Sequence, residues 1–185
     1  MSGRWIEIPK QFHSLYHEGP FQKCVDCDRD LLNGDCLYMI ERIFRGTEPI
    51  FEMAMCMDCR EKISQELSED SMQRINAYVE ERLDTDARYE ATLSWASDDV
   101  SPWLDSCILK KTPASECRNY QIAGMCIGGN MSLDMLPIMV SDEAVEEMQK
   151  LMSKKTRDRL GDMVQDFFGM PSEFADGPEF KPVFW

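Results

Sequence analysis

Cys24-Val-Asp-Cys27 and Cys56-Met-Asp-Cys59 bracket the stretch that decides how this chain folds. Between them, residues 36–44 (Cys-Leu-Tyr-Met-Ile-Glu-Arg-Ile-Phe) are rich in aromatic and β-branched side chains and read as a strand. Arg45-Gly46-Thr47 reads as a turn, and Pro49 opens a return strand over 49–55, where a missing ladder donor does least harm. The second cysteine pair follows at once and runs into a helical stretch, 60–67. Ser68-Glu-Asp-Ser71 supplies a cap and an acidic first turn. Met72, Ile75, Val79 and Leu83 then recur at helical spacing.

Each Cys-x2-Cys lets one tight turn present two sulfurs to one ion, and two such turns complete a tetrahedral set. Thiolates are soft donors that favour zinc or iron–sulfur chemistry over magnesium or calcium. The metal ligands expected are Cys24, Cys27, Cys56 and Cys59, around one structural Zn2+ per chain. Four protein ligands leave no open coordination position for a substrate. The neighbouring Asp26, Asp28 and Asp58 should point into water, because a four-thiolate zinc centre is already anionic. Four buried, metal-free thiols are the plain alternative, and a redox dithiol at one Cys-x2-Cys is the sharper one. The redox reading is opposed by the second pair and by the lack of a βαβ pattern.

The order of cysteine turn, β-hairpin, second pair and helix start resembles the treble-clef class of zinc fingers over residues 20–67. The resemblance implies a structural zinc held between a knuckle and a helix N-terminus. It does not specify function, since treble clefs serve interaction proteins and enzymes alike.

The second half repeats the outline. Residues 119–127 read as a strand, Gly128-Gly-Asn130 as a hairpin turn and 131–140 as a return strand placed at an edge by Pro137. Ser141-Asp-Glu-Ala144 opens a helix with the stripe Ala144, Met148, Leu151 and Met152. A last helix, 156–168, stops at Gly169. Between the halves, 88–96 reads as a short helix, and 97–102 and 110–116 as loops. Matching Cys27 with Cys107, Tyr38 with Tyr120 and Ile40 with Ile122 suggests a duplicated unit whose second copy lost its metal. On that match Leu104 stands for Cys24, while Ser141 and Ala144 stand for Cys56 and Cys59. Chance likeness of two ordinary hairpin–helix units is the alternative. Cys36, Cys107, Cys117 and Cys126 have no metal-knuckle spacing and read as buried free thiols, with a second site built from three of them as the alternative.

The expected fold is therefore α+β, with two hairpin–helix units. The first covers 1–97 and the second 98–170, followed by a Pro-rich aromatic tail, 171–185; one compact domain overall is the alternative. The tail ends Phe180-Lys-Pro-Val-Phe-Trp185 and reads as docking on its own chain or on a partner.

The 185 residues carry a net charge of −14, spread as −8 over 1–92 and −6 over 93–185. No basic stripe is available for phosphate, so nucleic acid and anionic membrane surfaces are disfavoured as partners. No apolar run is long enough to span a bilayer, and no apolar leader opens the sequence, which points to the cytoplasm. His13 and His17 sit four apart without the Glu of a metalloprotease motif and read as surface or packing residues. No phosphate loop or nucleophile elbow is present. The leading expectation is a non-enzymatic zinc protein, an adaptor or regulator working through protein contacts. The alternatives are an enzyme, by thiol redox or as a hydrolase with an unseen site, and an acidic inhibitor or nucleic-acid mimic.

Overall fold

The computed structural model describes residues 3–134 and 137–169. The chain is α+β, with six helices and one antiparallel sheet among the described residues. The strands are β1 (Trp5–Glu7), β2 (Leu37–Arg45), β3 (Glu48–Cys56), β4 (Asn119–Ile127), β5 (Asn130–Ser132) and β6 (Ile138–Ser141). The helices are α1 (Met57–Glu66), α2 (Glu69–Arg82), α3 (Thr85–Ser94), α4 (Ser101–Leu104), α5 (Asp142–Leu151) and α6 (Lys154–Phe168). None is long and apolar enough to cross a membrane.

Sheet order is β1-β5-β4-β2-β3, with β6 also on β4. The hairpins of the two halves meet in the middle, where β2 pairs antiparallel with β4 from Leu37↔Ile127 to Arg45↔Asn119. Phe44 and Tyr120, partners in that register, stack at 5.2 Å with planes 8° apart.

Three expectations change here. The return strand 131–140 is two pieces: β5 pairs Met131 with Cys126, and β6 pairs Ile138 with Ala123. Only β6 is left at an edge, because β5 is covered by β1. The loop at 97–102 closes on α4, whose second residue is Pro102, where proline costs no helical hydrogen bond. The short central helix starts earlier than 88, at Thr85, because Asp84 caps it by accepting the Ala87 N–H at 2.9 Å.

Both faces of the sheet are covered. Glu41 looks toward the helices and Arg42 toward the N-terminal segment, as alternation along β2 requires. Each is buried in an ion pair: Arg60 of α1 reaches Glu41 at 2.7 Å, and Arg42 reaches Glu52 at 3.2 Å. Arg42 also donates to the Gln11 carbonyl at 2.6 Å. Burial pushes the Glu41 carboxyl up despite Arg60, and burial pulls the Arg42 guanidinium down despite Glu52. On the Arg42 side the fully buried Phe12 packs over Gly124. A Cβ at Gly124 would come within 2.4 Å of Met131 Cε and 3.0 Å of Phe12 Cε1, so only glycine lets this ring lie on the sheet.

After each hairpin the chain makes the same helical corner. A ten-residue helix (α1 or α5), two extended residues (Leu67-Ser68 or Met152-Ser153) and a longer helix (α2 or α6) follow in turn. Ser68 and Ser153 cap the longer helices by accepting the N–H groups of Ser71 and Thr156. Gly169, at φ 59°, ends α6 in the left-handed conformation glycine tolerates. The C-terminal tail, 171–185, lies outside the described residues.

Candidate metal centre

The hairpin carries Cys56 to the top of α1 as its N-cap and places Cys59 in the first turn. The opposing pair sits on a knuckle closed by two backbone bonds, Cys24 N–H to the Arg29 carbonyl at 2.9 Å and Asp28 N–H to the Cys24 carbonyl at 3.0 Å. Asp28 supplies the turn with φ 56°. The knuckle is fastened to the hairpin by the Val25 N–H, which donates to the Ala54 carbonyl at 2.9 Å.

The four sulfurs of Cys24, Cys27, Cys56 and Cys59 all lie within 4.8 Å of one another. Cys27 Sγ and Cys56 Sγ are 3.8 Å apart. A tetrahedral thiolate site with metal–sulfur bonds of about 2.3 Å has edges of about 3.8 Å. The pair is too far apart for a disulfide, and all eight cysteines are free thiols. The arrangement can hold a metal ion with four sulfur ligands, and the Cys56 N–H already donates to Cys24 Sγ at 3.4 Å, the kind of bond that favours a thiolate.

Cys24, Cys56 and Cys59 are buried, and Cys27 faces solvent. In the metal-free protein, burial raises the Cys56 thiol to about 11 and raises Cys59 further. At Cys27 burial acts in the same sense but is outweighed by hydrogen bonds from the Arg29 N–H and the other three cysteines, which leave it below the ordinary thiol value. Asp26, Asp28 and Asp58 are exposed, as their charge demands, and Asp58 pairs with Arg29 at 2.5 Å. Asp26 still lies close enough to bond Cys59. His13 is spent on the Ile8 carbonyl at 3.0 Å, and His17 lies in the exposed turn beside it, so neither joins the cluster.

No protein-family model, curated protein or solved structure matches the chain.

A second knuckle of the same construction stands at the start of the second unit. Cys107 N–H donates to the Thr112 carbonyl at 2.8 Å and Lys111 N–H to the Cys107 carbonyl at 2.8 Å, with Lys111 at φ 61°. Ile108 N–H fastens it to the Met139 carbonyl at 2.9 Å, as Val25 does to Ala54. An isolated bridge closes each loop, Lys23↔Asp30 in one and Ser106↔Pro113 in the other. Bond for bond, Cys107 takes the place of Cys24 and Lys110 that of Cys27. The expected match of Cys27 with Cys107 and Leu104 with Cys24 is therefore displaced by three residues, since Leu104 belongs to α4. Ser141 and Ala144 do take the places of Cys56 and Cys59, at the cap and first turn of α5.

In this second unit Lys110 joins the knuckle to the helix. Its ammonium lies 2.7 Å from Glu147 and 3.1 Å from Glu143, both on α5. Tyr78 of α2 donates to the other Glu147 oxygen at 2.6 Å. Hydrogen bonds from Lys110 and Tyr78 hold the Glu147 carboxyl below its usual range, and those to Glu147 and Glu143 hold Lys110 above its own. Nothing in the spacing of Cys107 or Lys110 marks this cross-link in the sequence.

Proposed function

We propose that this chain is a zinc-stabilised, non-catalytic protein whose work is to present surfaces to a protein partner. The cluster of Cys24, Cys27, Cys56 and Cys59 carries the reading, because four protein sulfurs saturate a tetrahedral ion and leave no position for a substrate. Zinc is the ion of choice for such a set where no redox partner is in view. The site's place between a knuckle and a helix N-terminus supports a treble-clef assignment for 20–67. An adaptor or regulator role is supported by the acidic charge, which disfavours nucleic acid and anionic membranes, and by the exposed Leu15, Tyr16, Tyr89 and Leu93. A cytoplasmic setting suits eight reduced cysteines.

We read the two hairpin–helix units as a duplication in which the second site lost its metal. The matching knuckles, ten-residue helices and serine caps support it. In the second copy the Lys110–Glu143–Glu147 cross-link does electrostatically what the metal does in the first.

Elemental analysis of the purified chain tests the first reading, with about one zinc per chain expected and none in Cys56→Ser. Thiol redox is the competing reading, favoured by the exposed, low-lying Cys27 thiol. It predicts a metal-free protein in which Cys27 reacts rapidly with an alkylating reagent, whereas a zinc-bound Cys27 reacts slowly until chelator is added.

A further inference from the structure

The outer edge of β3 borders a groove of about 260 Å3, walled by Leu15, Tyr16, Ile50, Phe51 and Phe168. Leu15 and Tyr16 are 59% and 87% exposed, the largest such pair adjacent in sequence among the described residues. They are not held out by chance. Glu52 accepts from the Ser14 hydroxyl at 2.8 Å and from the Leu15 N–H at 3.0 Å, while Arg42 secures the same carboxylate from behind. A buried ion pair thus anchors an apolar wall in solvent.

The strand edge itself invites an extended occupant. At Ala54 the outward carbonyl is taken by the knuckle. Glu52, two residues back, turns its backbone groups the same way, toward the groove. A register shift between Ile43 and Phe44 leaves Ile50, which lines the groove, as the extra residue of a bulge in β3.

We propose that the groove is the seat of this chain's own C-terminal segment, residues 170–185. Phe168, the last residue of α6, already forms part of the wall and meets Phe51 edge-on at 4.5 Å. Gly169 turns the chain off the helix at that spot. The sixteen residues that follow contain Phe174, Phe180, Phe184 and Trp185, spaced by Pro171, Pro178 and Pro182. Sixteen residues can reach at most about 50 Å, so the length of the segment allows any of these rings to return to a groove at its own root. A short tether also gives the segment a millimolar effective concentration, which favours it over a free peptide of equal fit. The proposal does not depend on the metal.

The test uses the full chain. Methyl–aromatic nuclear Overhauser effects should connect the Leu15 and Ile50 methyls with ring protons of 170–185, and in a sample mixed from two labelling schemes they should arise within one molecule. Introducing a charge by Leu15→Asp, at an exposed position that folding does not need, or by Ile50→Asp should expel the segment. Cleavage after Glu173 and Glu179 by a glutamate-specific protease should then accelerate about tenfold, since cutting follows the open population. Groove methyls without tail contacts, or equal cleavage of parent and both variants, would overturn the proposal. Contacts only between differently labelled molecules would assign the groove to a second copy and overturn it equally.

Discussion

Thr156 Oγ1 donates to Ser71 Oγ at 3.3 Å, and each hydroxyl accepts the backbone N–H of the opposite helix cap. Ser153 N–H reaches Ser71 at 2.8 Å and Ser68 N–H reaches Thr156 at 3.0 Å. The two helical corners are tied by a reciprocal pair of bonds, with the two hydroxyls at the centre.

That knot predicts a specific cost. Thr156→Val keeps the shape and removes the hydroxyl, which orphans the half-buried Ser68 N–H. Urea unfolding should show a loss of about 1–3 kcal/mol. Ser71→Ala should cost a similar amount, and the double variant less than the sum, because the residues share one network.

Metal removal should unfold the first unit, since forming the site and folding that unit are linked. A chelator should abolish the far-ultraviolet signal of α1 and lower the melting temperature. If the metal-free fold is trapped, its pH dependence has a definite sign. Cys56 is raised by burial from the ordinary 9.0 to about 11, so the neutral thiol contributes stability that is present below 9 and lost as pH rises through about 11. Metal-loaded protein should show no such alkaline loss.

The second unit should respond to charge instead. Lys110→Met should leave metal content unchanged and loosen the second knuckle, raising amide exchange at Ile108 and Lys111. The stability change should be at most about 1 kcal/mol, because the pair is partly exposed. The cross-link should fail as pH drops through the depressed Glu147 value, and again as pH rises through the elevated Lys110 value.

Restoring the ligands should restore a site. Lys110→Cys with Ser141→Cys and Ala144→Cys rebuilds a four-thiolate set around Cys107. Elemental analysis should then give about two metal ions per chain, and an unchanged count would refute the equivalence of the two knuckles.

The core pair Glu41–Arg60 should behave as a buried ion pair. Arg60→Met alone leaves an unpaired carboxylate and should cost about 3–5 kcal/mol by denaturant unfolding. Adding Glu41→Leu should recover most of that loss.

Local signals carried much of the architecture. Ser68 and Ser141 announce their helices, because a short polar side chain before an acidic turn satisfies N–H groups that the helix cannot. The strand at 119–127 coincides with β4, since its apolar run ends at Gly128, which adopts φ 51°. Other features had no local signal. The split of β5 from β6 depends on Met131 and Ile138 finding Cys126 and Ala123 as their partners on β4, a choice of cross-strand register. Arg42 and Glu41 look like ordinary surface charges on a strand until the N-terminal segment and α1 bury them from opposite sides.

The sequence by itself picked out the four cysteines that cluster, Cys24, Cys27, Cys56 and Cys59, because Cys-x2-Cys spacing is a property of one turn and needs no distant contact. It also determined the α+β class, because hydrophobic period and caps are read within a few residues. Only the tertiary structure decided that β2 and β4 join the two halves in one sheet, and that the turn at Cys107 makes the same backbone hydrogen bonds as the turn at Cys24. Those are choices among long-range pairings, settled by which backbone groups find partners when the faces are buried.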